Sequence, residues 1–375
     1  MKYFLIAGER SGDLHGSNLI KALKKEDPDP VFYCWGGEQM KDSGAELLVH
    51  YKEHAFMGVF EVLVNLFKIR RMFLLCHNQI AEINPDVIIL IDYGGFNLRI
   101  ARYASKRGYR VFYYISPKLW AWNTKRAYKV KKYVERMFVI LPFEKEFYKL
   151  FDCEVDYVGN PVVDAVQMFQ AEKELKSVPN DRIIALLPGS RIQEVKMVLP
   201  PMMNLARKYP QYEFRVAAVN SLPQELYNVA IGLNNVKLVF ENTYNLLSES
   251  STAIVTSGTA TLETALLGVP QVVVYKAASW ITYLIAKAIV SVKYMSLVNL
   301  IANKPVVVEL MQRDMNPRLL EAEFIRLTED IAYRDKMKSE YERIRKILGS
   351  NPVSETAAHK MYKYLKKRSK QLSIS

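Results

Sequence analysis

Two short segments in the second half of the chain carry the strongest chemical signal. Leu186–Arg191 (LLPGSR) closes a β-branched apolar run, Ile183–Leu187, and leads into a helical pattern from Ile192; Ser257–Glu263 (SGTATLE) follows Ala253–Thr256 and opens another helix. The first turn of a helix presents backbone N–H groups without intrahelical partners, together with the positive end of the dipole, so both turns are shaped for an anion. In the first, Gly189 permits close approach, Ser190 adds a hydroxyl, and Arg191 can grip phosphate oxygens as a fork. The competing reading is a capping box, Ser190 with Gln193, that does no more than start the helix. In the second, Ser257, Gly258 and Thr259 supply the donors, and Glu263, one turn beyond Thr259, can accept hydrogen bonds from ribose hydroxyls. Two such turns in one domain point to the diphosphate of a sugar nucleotide. Neutral donors and an arginine hold it, so no metal and no cofactor is called for.

The first half offers a base. Asp92 follows the apolar run Val87–Ile91 and precedes Tyr93-Gly94-Gly95. In open parallel sheets that end of a strand faces the ligand crevice. A carboxylate there can take the proton of an attacking hydroxyl, worth roughly 10²- to 10⁴-fold in rate; the alternative is an Asx turn that shapes the loop. Gly8–Asp13 (GERSGD) follows the first strand and matches neither the dinucleotide and P-loop fingerprints nor a hydrolase elbow. Ser11, Gly12 and Asp13 there read as substrate contacts, against a structural turn. Three other patterns are decoys. His50–His54 fits H-x-x-E-H, but Leu47–Val49 before it looks like a strand end rather than a helix. Asp27-Pro28-Asp29 sits where a turn is needed, ahead of a strand at Val31. Trp120, Trp122, Tyr128 and Tyr133 stand among basic residues, yet no nucleic-acid module accompanies them, so nucleic acid is not expected as a partner.

The elements that must position these residues alternate. Short runs at Tyr3–Ala7, Val87–Ile91, Val111–Ile115, Ile183–Leu187, Phe214–Val219, Ala253–Thr256 and Gln271–Tyr275 are separated by longer helical patterns, the rhythm of an α/β protein with parallel sheets. The rhythm occurs in both halves, and 375 residues exceed what one core usually organises, so two domains are expected, with a break near Gly159-Asn160-Pro161. The net charge of +13 is concentrated: seven basic residues against Glu135 in Lys118–Arg136, and six with no acid in Lys360–Lys370. Those stretches face an anionic surface or ligand, unless they are a solvated helix face and a mobile tail. Half of the residues are hydrophobic and 24% charged, which excludes a disordered chain and a polytopic membrane protein. Phe56–Leu75 and Trp280–Ile301 are apolar, but central charges cost roughly 2.5 to 3.5 kcal/mol each in a bilayer, so neither is expected to span one. The first suits a helix lying in a membrane interface, with burial against the sheet as the alternative. The short apolar start and three unpaired cysteines, Cys34, Cys76 and Cys153, fit a cytosolic protein with reduced thiols.

Taken in order, GERSGD, MGVFEV from Met57, IDYGGFNL from Ile91, YISPKLWAW from Tyr114, LPFEKEFY from Leu141, LLPGSR, SGTATLE and YMSLVNL from Tyr294 resemble the lipid-A-disaccharide synthases, inverting glycosyltransferases. The resemblance implies a GT-B fold: two Rossmann-like domains with parallel sheets facing a central cleft. Residues 1–163 would then be the acceptor domain and 164–349 the UDP-sugar domain, with the tail 350–375 packing back on the first. It also implies UDP-2,3-diacylglucosamine and 2,3-diacylglucosamine 1-phosphate (lipid X) as substrates. Asp92 becomes the base. Gly189, Ser190, Arg191, Ser257, Gly258, Thr259, Glu263, Tyr275 and Asn299 become donor contacts, and Ser11, Gly12, Asp13, Glu61 and Asn97 acceptor contacts. Phe60, Val64 and Phe67 would meet the membrane. The implied location is the inner face of the cytoplasmic membrane, with its anionic surface as a partner; a homodimer is left open. The chain departs from the family pattern at Asn160, where many relatives carry His, and at Val298, where Pro is common. The runner-up is another GT-B enzyme acting on UDP-GlcNAc, such as a peptidoglycan transferase or a 2-epimerase; outside enzymes, it is a basic nucleic-acid or membrane-surface protein.

Overall fold

The computed structural model describes residues 1–54, 66–121, 123–172, 179–277 and 292–372. The chain divides into two compact units, Met1–Asn160 with Asn351–Ser375, and Pro161–Ser350. Among the described residues, the first unit holds β1 (Lys2–Ala7), β2 (Val31–Gly36), β3 (Glu46–His50), β4 (Val87–Ile91), β5 (Val111–Tyr114), β6 (Arg136–Val139) and β7 (Asp156–Tyr157). They form one parallel sheet in the order β3-β2-β1-β4-β5-β6-β7. Successive side chains on a strand point to opposite faces, so the central strands feed two cores. Tyr3, Leu5, Ala7, Ile89 and Ile91 pack with Leu19, Ile20 and Leu23 of the helix Arg10–Glu26 and with Ala357, Met361 and Leu365 of the helix Val353–Leu372. Phe4, Ile6, Ile88 and Leu90 pack with Cys76 and Ile80 of Leu66–Ile83 and with Ile100 and Ala104 of Gly94–Lys106. Each aliphatic side chain buried in this way contributes about 1.5 to 3 kcal/mol, which is why β4 is apolar at every position.

The tail is part of the first unit. Lys360 pairs with Asp156 at 2.7 Å, Tyr364 donates to the same carboxylate at 3.0 Å, and Lys25 pairs with Glu355 at 2.6 Å. Lys360, from the basic C-terminal stretch, is therefore engaged within the unit itself.

The second unit repeats the plan with β8 (Asn180–Leu187), β9 (Glu213–Ala218), β10 (Val236–Phe240), β11 (Ser250–Thr256), β12 (Gln271–Tyr275) and β13 (Glu309–Met311), ordered β10-β9-β8-β11-β12-β13 and parallel throughout. In both sheets the strand order reverses direction once, between β1 and β4 and between β8 and β11. Ligands of doubly wound sheets bind at this switch point, beyond the C-terminal strand ends. Four strands were not read from the sequence. β7 and β13 are two and three residues long. β10 is an edge strand with no buried residue, and β6 begins directly after a basic helix.

Candidate functional site

In the first unit, Ala7 and Ile91 are register partners on the strands that flank the switch point, so the loops after β1 and β4 leave side by side. Gly8 is required here: a Cβ would lie 2.2 Å from the Tyr93 ring. Asp92 and Tyr93 are both left-handed, with φ of 44° and 48°. Such residues cost about 1 to 3 kcal/mol each and persist only where the surroundings over-determine them. Here the Asp92 N–H donates to Tyr114 O at 3.1 Å, while its carbonyl accepts from Asn97 Nδ2 at 2.9 Å and Tyr113 Oη at 2.5 Å. The backbone is pinned at the strand end, and the residue is half-buried there. Burial, followed by the charge of Glu9, pushes the Asp92 carboxyl up to about 6, against the pull of Lys118 and a backbone hydrogen bond at Tyr93.

The residues read as acceptor contacts separate into two kinds. Ser11, in the first turn of the helix Arg10–Glu26, is exposed and donates to Glu9 Oε1 at 2.6 Å. Asp13 is 2% exposed, and its carboxylate accepts from the N–H groups of Gly37, Gln39 and Met40 at 2.7, 3.1 and 3.1 Å, so its oxygens cap the loop after β2. Gly12 is buried beneath β1, where a Cβ would sit 3.1 Å from that of Ala7. Asn97 is fully buried and binds the carbonyls of Ile91 and Asp92. In these three the described contacts lie inside the unit, except that Asn97 Oδ1 is buried without a hydrogen-bond partner. Glu61, Phe60 and Val64 lie outside the described residues, as does Trp122. Trp120 is 8% exposed and packs edge-on against Phe143 at 5.0 Å, so it is no platform for a base.

In the second unit, Leu187 and Val255 are register partners across the switch point, which brings the two glycine-containing turns next to each other. The turn after β8 is already occupied. The helix begins at Ile192 with Arg191 as its N-cap, which makes Glu194, rather than Gln193, the capping partner. Glu194 Oε2 accepts from the N–H groups of Ser190 at 3.0 Å and Arg191 at 3.3 Å, and Arg191 Nη1 lies 3.7 Å from Oε1. Gly189, at φ 108°, makes room for it: a Cβ would stand 2.4 Å from Glu194 Oε2. The turn after β11 is open, and a Cβ on Gly258 would meet nothing within 4 Å. Ser257 donates its N–H to Val274 O at 3.0 Å and its hydroxyl to Met295 O at 3.2 Å, which leaves the start of the helix Thr259–Leu266 to offer donors. Thr256, which ends β11, is 4% exposed, and its hydroxyl has no hydrogen-bond partner in the structure; the sequence reading did not single it out.

Glu263 accepts from Tyr244 Oη at 3.1 Å, and burial raises its pKa. One carboxylate oxygen is thus engaged within the unit. Tyr275 closes β12, its carbonyl taking the Gln312 N–H at 2.9 Å. Asn299, expected as a donor contact, has its side chain engaged within the unit: it is 1% exposed, donates to Val307 O and Glu309 Oε1 at 2.9 Å each, and accepts from Val306 N at 2.8 Å and Val307 N at 3.0 Å. An asparagine amide with four such bonds has no capacity left. Asn160 is likewise internal, 3% exposed and bonded to Ile140 O at 3.0 Å.

At the start of the helix Leu66–Ile83, Phe67 is 90% exposed, with Leu74 and Leu75 at 53% and 39%. Among the described residues no helix is long and apolar enough to cross a membrane, and no group of three or more His, Cys, Asp or Glu could hold a metal.

The family model for lipid-A-disaccharide synthetase matches residues 3–363. Lipid-A-disaccharide synthases of Syntrophus aciditrophicus and Geobacter sulfurreducens are 38% and 35% identical over 94% and 95% of this chain, and over 95% of their own length in each case. That of Coxiella burnetii is 32% identical over 94% of this chain and 96% of its own. Among solved structures, UDP-GlcNAc 2-epimerase from Neisseria meningitidis bound to UDP-GlcNAc superposes with a TM-score of 0.68 at 15% identity, covering 97% of this chain and 100% of that one. CalG4, the calicheamicin glycosyltransferase, gives 0.61 at 14% identity, with 97% and 98% covered. At such identities the likeness shows the GT-B fold alone. The family match runs through both sheets and all four strand-end motifs, and on that ground the chain belongs to the lipid-A-disaccharide synthetase family, glycosyltransferases of lipid A biosynthesis.

Proposed function

We propose that Asp92 is the base of the family's reaction, in which the 6-hydroxyl of 2,3-diacylglucosamine 1-phosphate attacks the anomeric carbon of UDP-2,3-diacylglucosamine. The hydroxyl proton passes to Asp92, the new β-1,6 bond forms, and the bond from the anomeric carbon to the UDP oxygen breaks with its electron pair leaving on UDP. One displacement inverts the anomeric centre. The helix starts after β8 and β11, with Arg191, stabilise the departing diphosphate through backbone N–H groups and a guanidinium. The observation that carries this reading is the pinned, left-handed Asp92, whose half-buried carboxyl titrates at about 6. A base needs a pKa near the working pH and a firm anchor, and this residue has a raised pKa and a pinned backbone. The exposed Phe67 beside Lys68, Arg70 and Arg71, and the basic helix Ala127–Tyr133, support docking to an anionic membrane surface on the cytoplasmic side, where acylated substrates reside.

The test is Asp92→Asn, with product followed by mass spectrometry and UDP binding measured separately. Product formation should fall by roughly 10²- to 10⁴-fold while UDP affinity is kept; near-normal turnover would sink the assignment. In the wild type, kcat/KM should fall as pH drops through about 6, where Asp92 gains its proton. Removing the neighbouring negative charge with Glu9→Gln should move that limb to lower pH, and Lys118→Met should move it higher.

A further inference from the structure

Glu309, the first residue of β13, belongs to none of the motifs above, yet its carboxylate gathers one segment of the second unit. Its Oε2 accepts from Met295 N at 3.0 Å; its Oε1 accepts from Ser296 N at 2.9 Å, Ser296 Oγ at 2.7 Å and Asn299 Nδ2 at 2.9 Å. Ser296 is fully buried and Asn299 nearly so. The Ser296 hydroxyl in turn accepts the Asn299 N–H at 3.2 Å and starts the short helix Leu297–Ala302. The next link leads to the open turn after β11, because Met295, one of the residues Glu309 holds, offers its carbonyl to the Ser257 hydroxyl at 3.2 Å. A serine hydroxyl has one proton to give. While Met295 O takes it, Ser257 can only accept from a ligand, and the direction of its side chain depends on a carbonyl set by Glu309.

We propose that Glu309 is a positioning residue for donor binding: through Met295 and Ser296 it sets the Ser257 hydroxyl, and with it the shape of the turn that takes the UDP diphosphate. The inference rests on the reading that this turn binds UDP. It also gives Asn299 its part, as the brace between Glu309 and the Val306–Val307 backbone.

The chemistry of the hub makes conservative variants informative. In Glu309→Gln one oxygen can keep the three contacts made by Oε1, but the new amide meets the Met295 N–H donor to donor. Glu309→Ala removes all four. Displacing a binding group by about 1 Å costs on the order of 10²-fold, so Glu309→Ala should raise the donor KM and the UDP Kd by about 10- to 100-fold, and Glu309→Gln by about 3- to 10-fold. The KM for the acylated acceptor should stay within about twofold of wild type in both, because the hub touches only the donor-side turn. That graded change in one KM and not the other is something general loss of structure would not produce. If Glu309→Ala does not fold, Glu309→Gln decides alone. Donor KM and UDP Kd unchanged in Glu309→Gln, or donor and acceptor KM rising together, overturns the proposal. Failure of the wild type to bind UDP overturns the parent reading and this inference with it.

Discussion

The two helix starts of the second unit look alike in sequence and differ in state. Both follow buried strands at the same switch point, and both carry a glycine and a hydroxyl residue. The turn after β8 is filled by the carboxylate of Glu194, which takes the Ser190 and Arg191 N–H groups and lies near the Arg191 guanidinium. After β11 the turn is open at Gly258, and its Ser257 hydroxyl donates to the carbonyl of Met295, whose N–H Glu309 accepts. The difference teaches that an anion site and a capped helix use the same N–H groups, so what decides between them is whether an internal carboxylate is within reach. A diphosphate bound as proposed would meet bare donors at the second turn and compete with Glu194 at the first.

The largest test of this contrast is Gly258→Leu. Its φ is 163°, ordinary extended backbone, and its Cβ position is open, so the fold should hold with Tm shifted by no more than about 2 °C. The side chain would fill the open turn, masking several donors at once, and kcat/KM for the donor should fall on the order of 10³-fold, since one oxyanion donor alone accounts for about 10² to 10³. Retained activity would show that the diphosphate does not enter this turn. Arg191→Ala should cost about 10²-fold in the same measurement, through loss of a charged fork that is 80% exposed and so free to turn toward a ligand. If it matches or exceeds Gly258→Leu, the ranking of the two turns is reversed. The smallest effect, opposite in sign, is expected from Glu194→Gln. Glutamine still caps the helix, but a neutral acceptor binds the N–H groups less strongly than a carboxylate, so UDP should bind about two- to fivefold more tightly by calorimetry. Weaker binding would mean that Glu194 aids the site instead of competing with the ligand.

Much of this was legible in the sequence, for physical reasons. The continuous apolar runs that became β4, β8 and β11 are buried on both faces, which leaves no alternative to a covered parallel strand. Gly, Ser and Arg directly after such a run mark a turn into a helix, and the structure has one at each place expected. The missed edge elements give little signal for different reasons: β7 and β13 are only two and three residues long, and β10 (VKLVF), though mostly apolar, has no buried residue. The individual site residues divided along the same line. Arg191 and Ser11 remain at the surface, whereas Asp13, Asn97 and Asn299 turned inward to bind backbone. A polar residue near a helix start reads identically whether it meets substrate or holds neighbouring backbone.

The sequence by itself determined the alternation of strands and helices and the four strand-end segments with groups suited to an acid–base step and a diphosphate. Those are local properties, carried by hydrophobic period and by turn chemistry. Only the tertiary structure decided that β1 lies beside β4 and β8 beside β11, so that loops more than sixty residues apart emerge together at each switch point. It also decided which N–H groups Glu194 already holds, and that Glu309, on the edge strand β13, meets the Met295 whose carbonyl takes the Ser257 hydroxyl. Strand order and the pairing of buried polar groups are set by how the helices cover both faces of each sheet, a contest among distant segments that no single stretch of sequence records.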